Sequence, residues 1–267
     1  MTIFEGLILG VVQGLTEFLP ISSSAHLNVF PWIFNWEMLS EGMDVALHIG
    51  TLLALVIFFW KDWIGLIKSG YKKAIKKEDS QEGKMFWYLV IATIPAGILS
   101  LVLDKVSEWI TGDNMGLQMT IIAHSLIIMG IILYIVDKKC KSTVDYKNIS
   151  LKQSVLIGMS QAIAAAFPGV SRSGITMTVA RTLKIDRESA AKFSFMLAMP
   201  ITFAAVIFEL HNFAFNWPLI IGILASFITG VFVIKFLLEY LKKGSFKIFA
   251  IYRIIFGIII IIFTFIK

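Results

Sequence analysis

The chain has 267 residues, 57% hydrophobic and 16% charged, with a mean hydropathy of +0.82 and a formal net charge of +6. So apolar a composition exceeds what one soluble core requires and excludes a soluble globular domain. The positive balance does not point to nucleic acid, because the basic residues gather between apolar runs as topology signals, and a single cysteine, Cys140, excludes an intrachain disulfide.

In chain order, Met1 to Phe4 lack the positive stretch of a secretory signal, so the N-terminus is expected to remain in the mature protein. Residues 3–30 are apolar but broken by a polar cluster that runs from Gln13 through Glu17 and Pro20 to Ser22, Ser23, Ser24 and His26. Non-helical backbone at membrane depth needs cover from protein or a watery cavity, so this stretch is predicted to be a re-entrant helix-loop-helix hairpin. Residues 44–60, 85–103 and 117–136 are apolar runs of spanning length, roughly 17 to 25 residues in a helix. A second broken stretch, 154–183, carries Pro168, Gly169, Val170, Ser171, Arg172, Ser173, Gly174, Ile175 and Thr176 and is predicted to be a second hairpin. Three more runs follow at 192–210, 217–238 and 246–266. The expected fold is an all-α polytopic membrane protein, one domain over 1–267, with six transmembrane helices and two re-entrant hairpins.

Lysine placement sets the expected orientation. The segments 61–84, 137–152 and 239–247 are rich in lysine and are predicted cytoplasmic, while 104–116 and 211–216 carry one lysine and none and are predicted external. The first hairpin then hangs from the outer face and the second from the inner face. A shift of 148 residues superposes Gly10 on Gly158, Gln13 on Gln161, Pro20 on Pro168 and Ser23 on Ser171. The pattern predicts an inverted-topology repeat, about 1–103 and about 151–267 around a connecting span at about 117–136, with broken helices meeting near the midplane.

Ionisable groups are expensive at bilayer depth, so the two clusters mark a site. Gln13 and Glu17 share a helix face, and Gly6, Gly10 and Gly14 form a ridge at the same spacing that invites close approach of another helix. Glu17 is suited to holding a divalent cation, orienting a water or accepting a proton. Ser22, Ser23 and Ser24 lie within a turn of His26, the pattern of a nucleophile beside a base, with the carboxylate of Glu17 upstream. In the second cluster Gly169 and Gly174 let the backbone turn and approach an anion. Ser171, Ser173 and Thr176 supply hydroxyls there, and Arg172 supplies a fork that matches phosphate oxygens. His48 either lines the cavity or makes a helix-to-helix hydrogen bond.

These two clusters, with 44–51, 92–97 and 187–195, resemble the undecaprenyl-diphosphatases, bacterial membrane enzymes also called bacitracin resistance proteins. The resemblance implies removal of the terminal phosphate from undecaprenyl diphosphate at the outer leaflet of the bacterial inner membrane. It also implies recycling of the lipid carrier for the cell wall, and bacitracin resistance. The first acidic position of the family motif is often glutamate and is Gln13 here, which leaves Glu17 as the acid. On this reading Arg172 holds phosphoryl oxygens, Ser23 attacks or holds water, His26 moves protons, and Glu17 orients His26 or a bound Mg2+ or Ca2+. Gln13, Ser22, Ser24, Gly169, Ser171, Ser173, Gly174 and Thr176 bind the headgroup. Membrane lipids are the expected surroundings, and the number of copies in the assembly is left open. The rival is a secondary transporter or flippase of an anionic lipid, since inverted repeats with broken helices are also the transporter plan.

Overall fold

The computed structural model describes residues 1–112, 114–209, 211, 213 and 216–266, without the side chains of Glu41, Asp104, Ser107, Glu108, Ile110 and Thr111. Among these residues the regular structure is helical: α1 (Ile3–Thr16), α2 (Ser23–Phe34), α3 (Glu41–Lys76), α4 (Gln81–Thr111), α5 (Met115–Lys139), α6 (Leu151–Ala166), α7 (Arg172–Thr182), α8 (Arg187–Glu209), α9 (Trp217–Leu241) and α10 (Lys247–Ile266). A lone bridge between Val144 and Ile185 is the one strand-like pairing among them. Helices α3, α4, α5, α8, α9 and α10 are long and apolar enough to cross a membrane. The protein is therefore a multi-pass helical membrane protein. Leu210, at the end of one predicted span, Asp113, Asn212, Ala214 and Phe215 in the predicted outer connections, and Lys267 lie outside the described residues.

Two predicted loops are mostly helix. The lysine-rich segment 61–84 is occupied by the end of α3 and the start of α4, leaving 77–80 as the link, because Trp63 and Leu66 face the core while Lys68, Lys72, Lys73 and Lys76 face outward. The predicted outer connection 104–116 is likewise taken up largely by the end of α4. Charge ends an apolar run in sequence, but it does not end a helix, since lysine is a good helix former.

The two broken stretches start alike. Thr2 caps α1 with Glu5 reaching back, and Ser150 caps α6 with Gln153 reaching back, so both begin on a capping box. The glycine ridge of α1 does what its spacing predicts. A Cβ on Gly6 would sit 2.2 Å from the Pro218 carbonyl oxygen, one on Gly10 2.2 Å from that of Gly222, and one on Gly14 2.6 Å from that of Ser226, so α1 lies backbone to backbone against α9. Gly158 of α6 meets α4 in the same way, with the Ala92 oxygen 2.4 Å from a built Cβ.

Candidate active site

Both polar clusters break the helix and restart it with the same device. Ser22 and Ser171 are the N-caps of α2 and α7 and hold φ of 75° and 70°, a left-handed conformation that costs a non-glycine residue about 1–3 kcal/mol. Each Oγ accepts the backbone N–H three residues on, from Ala25 and Gly174. Each hydroxyl is also 3.2 Å from the hydroxyl two residues on, Ser24 and Ser173. The backbone thus pairs Ser22 with Ser171, one residue out from the Ser23–Ser171 pairing that a constant shift of 148 gives, and it sets Ser23 against Arg172 at the first helical position of each turn. The slip follows from α6, which runs to Ala166 and is two residues longer than α1.

These first turns face one cavity of about 340 Å³. Glu17, Ser23, Ser24, Ser171 and Arg172 line it, joined by Asp44 and His48 from α3, Gln161 from α6 and Thr202 from α8, while Val45, Ala164, Ala165, Ile201 and Ala205 give it an apolar wall. Glu17 is 7% exposed. Its Oε1 accepts from the Arg172 guanidinium, whose Nη1 also donates to Thr202 Oγ1 at 2.7 Å. Its Oε2 accepts from Ser23 Oγ at 2.6 Å and from Gln13 Nε2 at 3.2 Å, and lies 3.5 Å from His48 Nε2. The His48 ring is held by Nδ1, 2.9 Å from the Asp44 carbonyl. A carboxylate, a hydroxyl, a guanidinium and an imidazole from α1, α2, α7 and α3 therefore converge, and three buried acceptors beside them, Gln13 Oε1, Asp44 Oδ1 and Gln161 Oε1, have no hydrogen-bond partner among the described residues.

The rest of the predicted set lies behind this layer. His26 does not reach the cavity. It is 2% exposed, with Nδ1 2.6 Å from the Ser22 carbonyl and Nε2 2.7 Å from Tyr252 Oη, its ring stacked on Phe256. Both ring nitrogens are engaged by protein, so the structure corrects the expectation that Glu17 orients His26; the imidazole next to Glu17 is His48. Gln13 stands behind Glu17, and Ser22 is a fully buried cap. Ser173 donates to the Leu19 carbonyl at 3.1 Å, tying one loop to the other. Thr176 is 2.7 Å from Ser194 Oγ and donates to the Arg172 carbonyl at 2.9 Å. Gly169 holds φ of +92°, which only glycine adopts freely, and Gly174 leaves room for the Arg253 guanidinium, which a Cβ would meet at 2.6 Å. These two glycines shape the loop behind the cavity and do not line it.

Glu17 is a poor fit for a resident Mg2+ or Ca2+. Both of its oxygens already serve protein donors, one of them a guanidinium, and among the described residues no group of three or more His, Cys, Asp or Glu is placed to hold a metal ion. A hard divalent cation needs carboxylate oxygens free to bind it, and both oxygens of Glu17 are committed to protein donors.

His48 and Asp44 carry a weaker signal in the sequence than the two polar clusters. Their signal was their spacing, four residues apart at the start of an apolar span, which puts both on one helix face. Arg253 has a plainer one: it is a lone arginine inside 246–266.

Fold and site together define a multi-pass helical membrane protein with a charged, anion-matched cavity inside it. The family model described as Bacitracin resistance protein BacA matches residues 6–259. Proteins named undecaprenyl-diphosphatase are similar over nearly their whole length. That of Pelotomaculum thermopropionicum is 44% identical over 265 residues, covering 98% of this chain and 97% of the relative. That of Caldicellulosiruptor bescii is 43% identical over 274 residues, covering 98% of each. That of Moorella thermoacetica is 40% identical over 264 residues, covering 98% and 97%. The chain belongs to the Bacitracin resistance protein BacA family.

Proposed function

We propose that this chain dephosphorylates undecaprenyl diphosphate to undecaprenyl phosphate and inorganic phosphate through Ser23, Glu17, Arg172 and His48. The observation that carries the reading is the Glu17 carboxylate, which takes Ser23 Oγ on one oxygen and the Arg172 guanidinium on the other inside one cavity. A diphosphate brings more negative charge to the guanidinium fork than one carboxylate does, so it displaces Glu17 from Arg172. The freed carboxylate takes the Ser23 proton. Ser23 Oγ then bonds to the terminal phosphorus while the bridging P–O bond breaks, and undecaprenyl phosphate leaves with the electron pair. Phosphoryl transfer is mostly positioning and charge neutralisation, which Arg172, Thr202 and the first-turn amides of α2 and α7 supply. Glu17 passes the Ser23 proton on to His48. Water then attacks the phosphoserine, giving its proton to Glu17, which hands it to Ser23 Oγ as the Oγ–P bond breaks, so that the serine and the carboxylate are restored and phosphate is released.

No step runs through a resident metal. A Mg2+ or Ca2+ ion enters this reading only as a companion of the diphosphate, whose oxygens are hard donors.

The headgroup cavity draws on the start of α3, the end of α4 and the second half of α8, the ends away from the lysine-rich segments. By the positive-inside rule those ends face outward, so the site opens to the outer face of the bacterial cell membrane, with α1–α2 and α6–α7 as re-entrant pairs of an inverted repeat. Activity there recycles the carrier for wall synthesis and removes the species that bacitracin captures. Transport of an anionic lipid needs no serine held against a carboxylate, and the names of the relatives favour hydrolysis. The test is phosphate released from a prenyl diphosphate in detergent, without a gradient. The parent is expected to turn over. Arg172→Ala is expected to lose about 3–4 kcal/mol of transition-state stabilisation, a few hundredfold in rate, and Ser23→Ala to lose the phosphoserine that acid quench traps. Near-normal release by either variant refutes the assignment.

A further inference from the structure

Arg253 lies two turns into α10, fully buried in an apolar helix, and among the described residues no carboxylate forms an ion pair with it. A buried guanidinium without an acid must be satisfied some other way. Here it is satisfied by four backbone carbonyls. Nη1 donates to Pro20 at 3.2 Å, Nη2 to Gly169 at 3.0 Å and Val170 at 2.8 Å, and Nε to Leu126 at 3.4 Å. Pro20 stands two residues before the N-cap Ser22, and Gly169 two residues before the N-cap Ser171. One side chain therefore grips the two loops at equivalent points, immediately before the strained turns that aim Ser23 and Arg172 at the headgroup.

We infer that Arg253 is a positioning residue that locks the two loops to each other and so fixes Ser23 and Glu17 against Arg172. It does not line the cavity, so it acts through the loops and not on the substrate. Three observations support this role. The guanidinium fork is the one side chain with enough rigidly spaced donors to hold carbonyls on both loops at once. Gly174 is small where a Cβ would meet Nη1 at 2.6 Å, so the second loop is built around the clamp. Next to it in sequence, Tyr252 takes His26 Nε2 and stacks on its ring, which ties α2 to the same stretch of α10. The left-handed turns at Ser22 and Ser171 persist only where the surroundings over-determine them, and a clamp two residues upstream of each does that.

The inference rests on the phosphatase reading above, and the experiment separates the two: a parent that releases no phosphate sinks that reading, whereas the comparison of variants bears on Arg253 alone. Arg253→Lys keeps the charge and loses the fork. Gly174→Ala keeps the arginine and pushes it off its seat, so it decides the matter should Arg253→Lys fail to accumulate. Each is measured for kcat and KM on a prenyl diphosphate and for its unfolding midpoint in detergent. The expected result is a loss of kcat of about 100-fold, the scale of a 1 Å misplacement of reacting groups, with KM within about twofold. The clamp acts through the alignment of Arg172, so adding Arg253→Lys to Arg172→Ala is expected to cost less than about threefold more, where independent effects would multiply. Parent-like kcat in both single variants overturns the inference. So does a full multiplicative loss in the double variant, or a loss that appears in KM alone.

Discussion

The two histidines that flank the site give the sharpest contrast. His48→Gln removes an imidazole 3.5 Å from Glu17 Oε2, while His26→Gln removes one whose nitrogens bind the Ser22 carbonyl and Tyr252. A positioned acid-base group is worth about 10²–10⁴ in rate. The 3.5 Å separation is long for a proton-transfer contact, which puts His48→Gln at the low end, about 100-fold or roughly 2.7 kcal/mol. Loss of His26 removes hydrogen bonds worth about 0.5–1.5 kcal/mol each and a ring stack of about 0.5–1.5 kcal/mol. The sum, about 2 kcal/mol after glutamine regains one bond, falls on stability. The assay is phosphate release per folded molecule across pH, beside the unfolding midpoint. His48→Gln is expected to lose kcat and flatten one limb of the pH profile, with a smaller fall in midpoint than His26→Gln. His26→Gln is expected to unfold earlier and to keep kcat within about tenfold once corrected for folded fraction. Abolished turnover in His26→Gln at an unchanged midpoint, with parent-like turnover in His48→Gln, refutes the assignment of roles.

Gly10→Val puts a branched side chain where even a Cβ lies 2.2 Å from the Gly222 oxygen, and it is expected to destabilise the protein by at least about 1–3 kcal/mol. Gly97→Val, in open space, is the control expected to leave the unfolding midpoint in place. Calorimetric titration of the substrate-free protein with Mg2+ or Ca2+ is expected to give no heat of a specific site at Glu17; a saturable signal lost in Glu17→Gln contradicts the reading that the ion arrives with the diphosphate.

How much of this was legible in the sequence differs from one element to the next. The six spans were, because length and apolarity are local properties, and so was the ridge of Gly6, Gly10 and Gly14, because a four-residue period states which residues share a face. Helix ends were not: Lys61 to Lys76 read as a loop by charge and is helix, since lysine ends hydrophobicity and not helicity. Glu17, Ser23, Ser24, Ser171 and Arg172 were all legible as cavity residues from their cost inside an apolar chain. The choice between His26 and His48 was not. His26 lies near Ser23 along the chain, but one turn of α2 carries it away from the cavity, and His48 reaches Glu17 only because α3 packs beside α1. Gly174 reads as an anion-binding glycine by its neighbours, and its real neighbour, Arg253, is 79 positions away in the chain.

The flush seam between α1 and α9 has a mechanical corollary. With carbonyl oxygens where side chains would stand at Gly6, Gly10 and Gly14, neither helix can slide or rock against the other without collision, so the wall that carries Glu17 is a fixed rail. On the proposed reading, a lipid headgroup entering from the bilayer is let in by the opposite wall. There α4 and α8 each carry an internal proline, Pro95 and Pro200, whose missing hydrogen bond gives a helix somewhere to bend, and Gly97 faces empty space. On the proposed reading, breathing falls to that side of the molecule, while the helix leading to Glu17 keeps its place.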